Sequence, residues 1–116
     1  MKRALAERRG RRAEAIAAWW LRFKGWRILG RRVRARGGEV DLVVRRGRVL
    51  AFVEVKQRAS DDAAGFALDR QRLRRVAAAA EQLAPRFALP GDDIRIDAVF
   101  LVQGRLPRHL PDVWQG

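Results

Sequence analysis

The sequence predicts an α/β fold: one domain over residues 1–116, in the order α-β-β-β-α-β, with a mixed sheet flanked by helices. Three observations lead there. Apolar residues recur at helical spacing over 4–24 and 69–84, whereas 26–34, 39–45, 48–57 and 94–102 are rich in β-branched and alternating apolar residues. Gly25, Gly37-Gly38 and Arg46-Gly47 punctuate the first part of the chain, so the first three strands form a meander with short turns. The last strand follows a whole helix, and a crossover of that length returns a strand parallel to its neighbour.

In the first helix, Ile16, Trp20 and Phe23 set the apolar stripe, widened by Ala13, Ala17 and Trp19. Trp19 and Trp20 are thereby expected in the core, and Glu14 is the acid closest to the apolar section. Gly25 supplies the helix stop. The first strand, Trp26–Arg34, alternates basic residues and is expected at an exposed sheet edge. Gly37-Gly38 leads into the second strand, and Arg46-Gly47 makes the hairpin turn to the third. Ser60–Gly65 reads as a loop with two acids. The second helix, Asp69–Ala84, points Leu73, Val76, Ala77, Ala80 and Ala84 inward and Arg70, Gln71, Arg74 and Arg75 elsewhere, and Pro85 is expected to end it. Ile94–Val102 has the continuous apolar run of an interior strand. The Pro107–Pro111 tail is expected to cross the surface, docked by Trp114.

Composition removes most reactive chemistries. The chain has no Cys, Tyr, Thr or Asn, a single Ser (Ser60) and a single His (His109). Thiol catalysis, disulfides and Cys/His zinc sites are excluded. Neither Ser60, beside Asp61-Asp62, nor His109, between two prolines, sits in the context of a catalytic nucleophile or its base. Asp, Glu, Lys and Arg remain, and with them hard, oxygen-ligated cations such as Mg²⁺ or Mn²⁺. No apolar run approaches the length of a membrane span, and Met1-Lys2-Arg3 leads into charge, so a cytoplasmic protein is expected, with association with the nucleoid a candidate refinement.

The charge is lopsided. Residues 1–36 hold thirteen Lys/Arg against two acids, so eleven of the thirteen net positive charges lie in the first third. Such a field suits a polyanion, and phosphate contacts supply most non-specific nucleic-acid affinity.

Against that background the central hairpin stands out. Glu39 and Asp41 share one face of the second strand, and Phe52, Glu54 and Lys56 one face of the third. Charges on a buried hairpin cost on the order of several kcal/mol each unless paired or metal-bound. Asp41, a gap of twelve residues and then Glu54-Val55-Lys56 resembles the D…(D/E)-x-K signature of the restriction-endonuclease-like nuclease superfamily. Within it, Gly38-Glu39-Val40-Asp41-Leu42 with Phe52-Val53-Glu54-Val55-Lys56-Gln57-Arg58 resembles the YraN/UPF0102 family of small bacterial proteins, grouped by fold with archaeal Holliday-junction resolvases. The likeness extends to Glu14, Arg70-Gln71 and Arg95-Ile96-Asp97, with two departures: Val40 replaces the signature Pro, and Arg70 stands where the family usually has Lys.

The resemblance implies a restriction-endonuclease-like αβββαβ core and an endonuclease-like activity on structured or branched DNA. Asp41, Glu54, Lys56 and Glu14 are the candidate catalytic residues. A Mg²⁺ or Mn²⁺ ion would be held by Asp41, Glu54 and the Val55 carbonyl, with Glu14 and Glu39 as candidate further ligands. Lys56 is placed to orient the attacking water or to stabilise charge on phosphorus. Arg31, Arg32, Arg34, Arg36, Arg58, Arg70, Gln71 and Arg74 are the candidate nucleic-acid contacts. Glu54 and Lys56 could instead form a plain ion pair, Glu39 could pair with an Arg across the hairpin, and Asp97 is expected to anchor an Arg. DNA is the favoured partner over RNA, and a homodimer is a candidate assembly. The alternative is a non-catalytic nucleic-acid-binding accessory that retains the fold.

Overall fold

The computed structural model describes the backbone of residues 2–59 and 68–116 and the side chains of residues 10–59 and 68–116. The expected loop at Ser60–Gly65, with Asp61 and Asp62, lies outside the described residues. Helix α1 spans Lys2–Phe23, followed by β1 (Arg27–Ala35), β2 (Gly38–Arg46), β3 (Val49–Arg58), α2 (Arg70–Phe87), β4 (Asp93–Val102) and β5 (Arg108–Leu110). The strands form one sheet in sequence order, β1-β2-β3-β4-β5. All neighbours are antiparallel except β3 and β4, which run parallel after the α2 crossover. The αβββαβ order, the mixed sheet and the edge position of β1 match the expectation.

The two helices cover opposite faces of the sheet. On one, Leu73, Val76, Ala79, Ala80 and Leu83 of α2 pack against Val43, Leu50, Phe52 and Ile96. On the other, Ala17, Ala18 and Leu21 of α1 pack with Trp26 against Leu42, Val44, Ala51, Val53 and Val99. Fully burying Phe52 or Phe100 contributes about 1.5–3 kcal/mol each.

The predicted stripe of α1 is corrected. Its sheet-facing side consists of Ala13, Glu14, Ala17, Ala18 and Leu21, while Ile16, Trp19 and Phe23 are exposed, the last two by 72% and 74%. Small side chains let the helix backbone approach the sheet closely. The bulky residues therefore occupy the adjoining outer arc. Gly25 ends the helix as expected: at φ 95° it allows the Trp26 N–H to reach the Leu21 carbonyl at 2.9 Å.

Two further expectations are corrected. Helix α2 does not stop at Pro85 but continues to Phe87, where the Ala88 N–H caps the Ala84 carbonyl at 2.7 Å. Pro85 sits on the exposed side of the last turn, where water can satisfy the Glu81 carbonyl that loses its donor. At the other end, Asp69 is the N-cap and accepts from the Gln71 and Arg72 N–H groups. The C-terminal tail is not merely draped over the surface, because Arg108–Leu110 pairs with Ala98–Phe100 as the fifth strand. Asp97 anchors this segment. It is fully buried and accepts from Arg95, from the Asp112 N–H at 2.9 Å and shares a 2.7 Å hydrogen bond with His109. Burial pushes its pKa up, but the bonds to His109, Arg95 and the Asp112 N–H outweigh that and hold it below the usual carboxylate range. Trp114 packs on the α2-side core, with the Arg70 guanidinium 5.0 Å above its ring.

Candidate functional site

The site lies where the central hairpin stops behaving as a regular sheet. Strands β2 and β3 pair from Arg46↔Val49 to Leu42↔Val53, and one further step would set Asp41 opposite Glu54. Instead, the Asp41 carboxylate accepts the Val55 N–H at 2.7 Å. The pleat also reverses here. Val40 packs in the α2-side core and Leu42 in the α1-side core, although residues two apart on a strand normally share a face. Across the β1–β2 ladder, Arg31 pairs with Leu42 and Val33 with Val40, so the residue facing Asp41 is Arg32. Arg32 has φ 51°, a left-handed conformation costing a non-glycine residue roughly 1–2 kcal/mol. Its guanidinium Nε lies 3.4 Å from Glu14 Oε1 and 3.7 Å from Glu39 Oε1.

Glu14 reaches the same point from α1. One oxygen each of Glu14, Glu39 and Asp41 can be chosen so that all three lie within 4.8 Å of one another. Glu14 is only 5% exposed, and its Oε1 is buried with no hydrogen-bond partner. An unsatisfied buried polar atom costs about 1–3 kcal/mol, more when charged. Burial, reinforced by Glu54 and Glu14 and opposed by the Val55 N–H and Arg72, pushes the Asp41 carboxyl up to about 7. Glu14 is also pushed up, chiefly by burial, with Arg32 opposing and Glu39 adding to the shift.

Glu54, 2% exposed, is neutralised from two sides. Lys56 Nζ lies 2.9 Å and Arg72 Nε 2.5 Å from its Oε1. Two clefts open on the cluster. One, of about 290 Å³, is lined by Glu39, Asp41, Glu54, Arg72 and Arg75 among others. The other, of about 160 Å³, is lined by Glu14, Asp41, Val55, Gln57 and Arg72 with Gly10 and Ala13.

The oxygens present suit a hard divalent cation: carboxylates converge without soft ligands, and one buried oxygen accepts no hydrogen bond. The grouping differs from the one read in sequence. Sequence centred the ion on Asp41, Glu54 and the Val55 carbonyl. The structure gathers Asp41 with Glu14 and Glu39, sets Glu54 between two cations, and uses the Val55 N–H to hold Asp41. Arg72 is absent from the sequence-derived set, although stepping back four residues from Ala80 and Val76 along the inward stripe arrives at it.

The candidate nucleic-acid contacts are dispersed. Arg31, Arg34 and Arg36 lie exposed on or beside the β1 edge, with Arg34 Nε 3.4 Å from Glu39. Arg32 turns to the acids. Arg58 lies over the Phe100 ring at the end of β3. Gln71 and Arg74 are exposed on α2, and Arg70 is bound to Trp114 and to the Gly116 carbonyl at 3.1 Å.

These features define an α/β protein with an αβββαβ core and a partly buried acidic cluster at its central hairpin. The family model described as "Uncharacterised protein family UPF0102" matches residues 13–101. A UPF0102 protein of Sphingopyxis alaskensis is 65% identical, covering 99% of both chains. UPF0102 proteins of Rhizorhabdus wittichii and Erythrobacter litoralis are 59% and 52% identical, each over 99% of this chain and 98% and 99% of their own. The chain belongs to the UPF0102 family. Among the described residues, no helix is long and apolar enough to cross a membrane.

Proposed function

We propose that this protein is a metal-dependent endonuclease acting on structured or branched DNA. The observation that carries the reading is the convergence of Glu14, Glu39 and Asp41, with the buried Glu14 Oε1 accepting no hydrogen bond and facing only Arg32 at 3.4 Å, in a chain of net charge +13. Glu14, Glu39 and Asp41 would hold Mg²⁺ or Mn²⁺. Such an ion supplies Lewis-acid polarisation of a phosphoryl oxygen and lowers the pKa of bound water.

The chain's own groups do the rest. Lys56, fixed by its pair with Glu54, presents a point charge that can orient the attacking water and stabilise negative charge on the phosphate. Arg72 lines both clefts and its side chain is 56% exposed, so it can meet a phosphate while its Nε stays on Glu54. The Val55 N–H keeps Asp41 oriented toward Glu14 and Glu39.

The test is cleavage of junction, flap and single-stranded DNA with Mg²⁺ or Mn²⁺ by wild type, Asp41→Ala and Lys56→Ala. Loss in both variants is expected. Equal activity in all three would trace the cleavage to a contaminant and remove the assignment. A second reading, a nucleic-acid-binding accessory without turnover, is favoured by one observation: Arg32, Lys56 and Arg72 already neutralise the acids. It expects salt-sensitive binding that neither chelator nor Asp41→Ala changes.

A further inference from the structure

The outer face of α1 presents aromatic rings to solvent where the sequence pattern calls for core. Trp19 and Phe23 are 72% and 74% exposed, and Trp20 stacks on Phe23 with centroids 6.0 Å apart. With Ile16 and Pro107 they line a groove of about 520 Å³. A contiguous exposed apolar patch on a small protein usually marks a binding surface.

The groove is continuous with the acidic site. Ala13 and Gln57 line both the smaller acidic cleft and a second groove of about 630 Å³ that also contains Arg12, Arg58 and Arg105. Arg12, Ile16 and Pro107 then line both that basic groove and the aromatic one. Lys24 adds a cation beside the rings, with its Nζ 4.7 Å above that of Trp20. Among the described residues, no Asp or Glu lines the basic or the aromatic groove.

We propose that this track binds a single strand of DNA leaving the acidic site: the arginines follow its phosphates, and Trp19 and Phe23 stack its bases. The preferred substrate is then a duplex with a single-stranded overhang or flap. Aromatic faces reach bases only when these are unstacked from a partner strand, and a basic groove joined to stacking rings is the general design for single strands. A second copy of the chain fits poorly, because pairing this face with itself brings Arg12 and Lys24 of both copies into one interface in a chain of net charge +13. The proposal rests on the nuclease reading for the direction of the track, not for the existence of the aromatic platform.

The test is fluorescence anisotropy with a labelled DNA hairpin, with and without a single-stranded thymidine overhang, in chelator so that nothing is cut. Trp19→Ala should weaken overhang binding about 5- to 100-fold, as expected for losing a base stack, and leave the blunt hairpin unchanged. Trp19→Phe should retain most of the affinity. Trp19→Leu, apolar but without a ring, should lose as much as Ala. Trp19 is so exposed that none of these changes should disturb folding. Overhang binding that is indifferent to Trp19→Ala, or restored by Leu, overturns the stacking platform and leaves the cleavage reading standing. A Trp19-dependent dimer in sedimentation assigns the face to a second copy and likewise overturns it. Absence of binding to any DNA by the wild type at low salt removes both readings.

Discussion

Replacing Asp41 by Asn isolates the electrostatic strain of the site. Asp41 is ionised with difficulty, its pKa raised from 3.8 to about 7 by burial and by the charge of Glu54 and Glu14. For a carboxyl raised in this way, the folded chain holds a proton that the unfolded chain has released. Stability is therefore full below the unfolded value and falls as pH rises through the folded one. Each pH unit in that window contributes about 1.4 kcal/mol. With allowance for solvent access at a half-buried side chain, ionising Asp41 costs the metal-free protein on the order of 2–4 kcal/mol by pH 8. Asn keeps a carbonyl oxygen for the Val55 N–H and carries no charge. Urea denaturation in chelator should find Asp41→Asn and wild type within about 1 kcal/mol of each other at pH 5. At pH 8 the variant should be more stable by about 2–4 kcal/mol, a melting difference on the order of 10 °C for a domain of this size. Asp92, held down to about 2 by its hydrogen bond from Arg45, and Asp97, also lowered, do not confuse the comparison. Their stabilisation is complete above the unfolded carboxylate range and is lost only as pH falls below it. Wild-type stability that is flat or rising from pH 5 to 8, or an Asn variant weakened equally at both, would refute the reasoning.

Three other substitutions probe separate parts of the structure. Arg32→Gln removes the internal cation from Glu14 and Glu39 and should tighten Mn²⁺ binding about three- to tenfold by calorimetry; unchanged or weaker binding would show that Arg32 does not compete for these oxygens. Asp97→Asn leaves Arg95 without its buried partner and loosens the β5 anchor, so denaturant unfolding should register a loss of about 3–5 kcal/mol, and a loss near zero would contradict the anchoring role. Phe52→Ala opens a cavity beneath α2 and should cost about 3–5 kcal/mol, measured the same way, with a small effect contradicting its place in the core.

Legibility in the sequence followed the strength of the physical signal. The strands were readable because Val and Ile runs bounded by glycine admit few other conformations, and the parallel β3–β4 pairing followed from the length of the α2 crossover. The α1 phase is obscured in the sequence because the bulk of Ile16, Trp19 and Phe23 outweighs the small-residue face that permits close approach. Strand β5 was hidden because its short pairing depends on Asp97 holding His109 and the Asp112 N–H, contacts between residues far apart in sequence. At the site, Glu14, Glu39, Asp41, Glu54 and Lys56 were all named from sequence, and the structure brings them to one region. Their partition into a carboxylate cluster and a cation-locked glutamate was not legible. It arises from the left-handed backbone of Arg32, which no sequence pattern marks, and from Arg72 on α2, whose one signal is its place a turn before Val76 on the inward stripe.

The most direct measurement is anomalous scattering from crystals soaked in Mn²⁺. A divalent-cation centre predicts one strong peak within coordination distance of the Glu14, Glu39 and Asp41 carboxylates, absent in Asp41→Ala crystals soaked identically. Crystals that show no peak there, or a peak indifferent to the loss of Asp41, would contradict it.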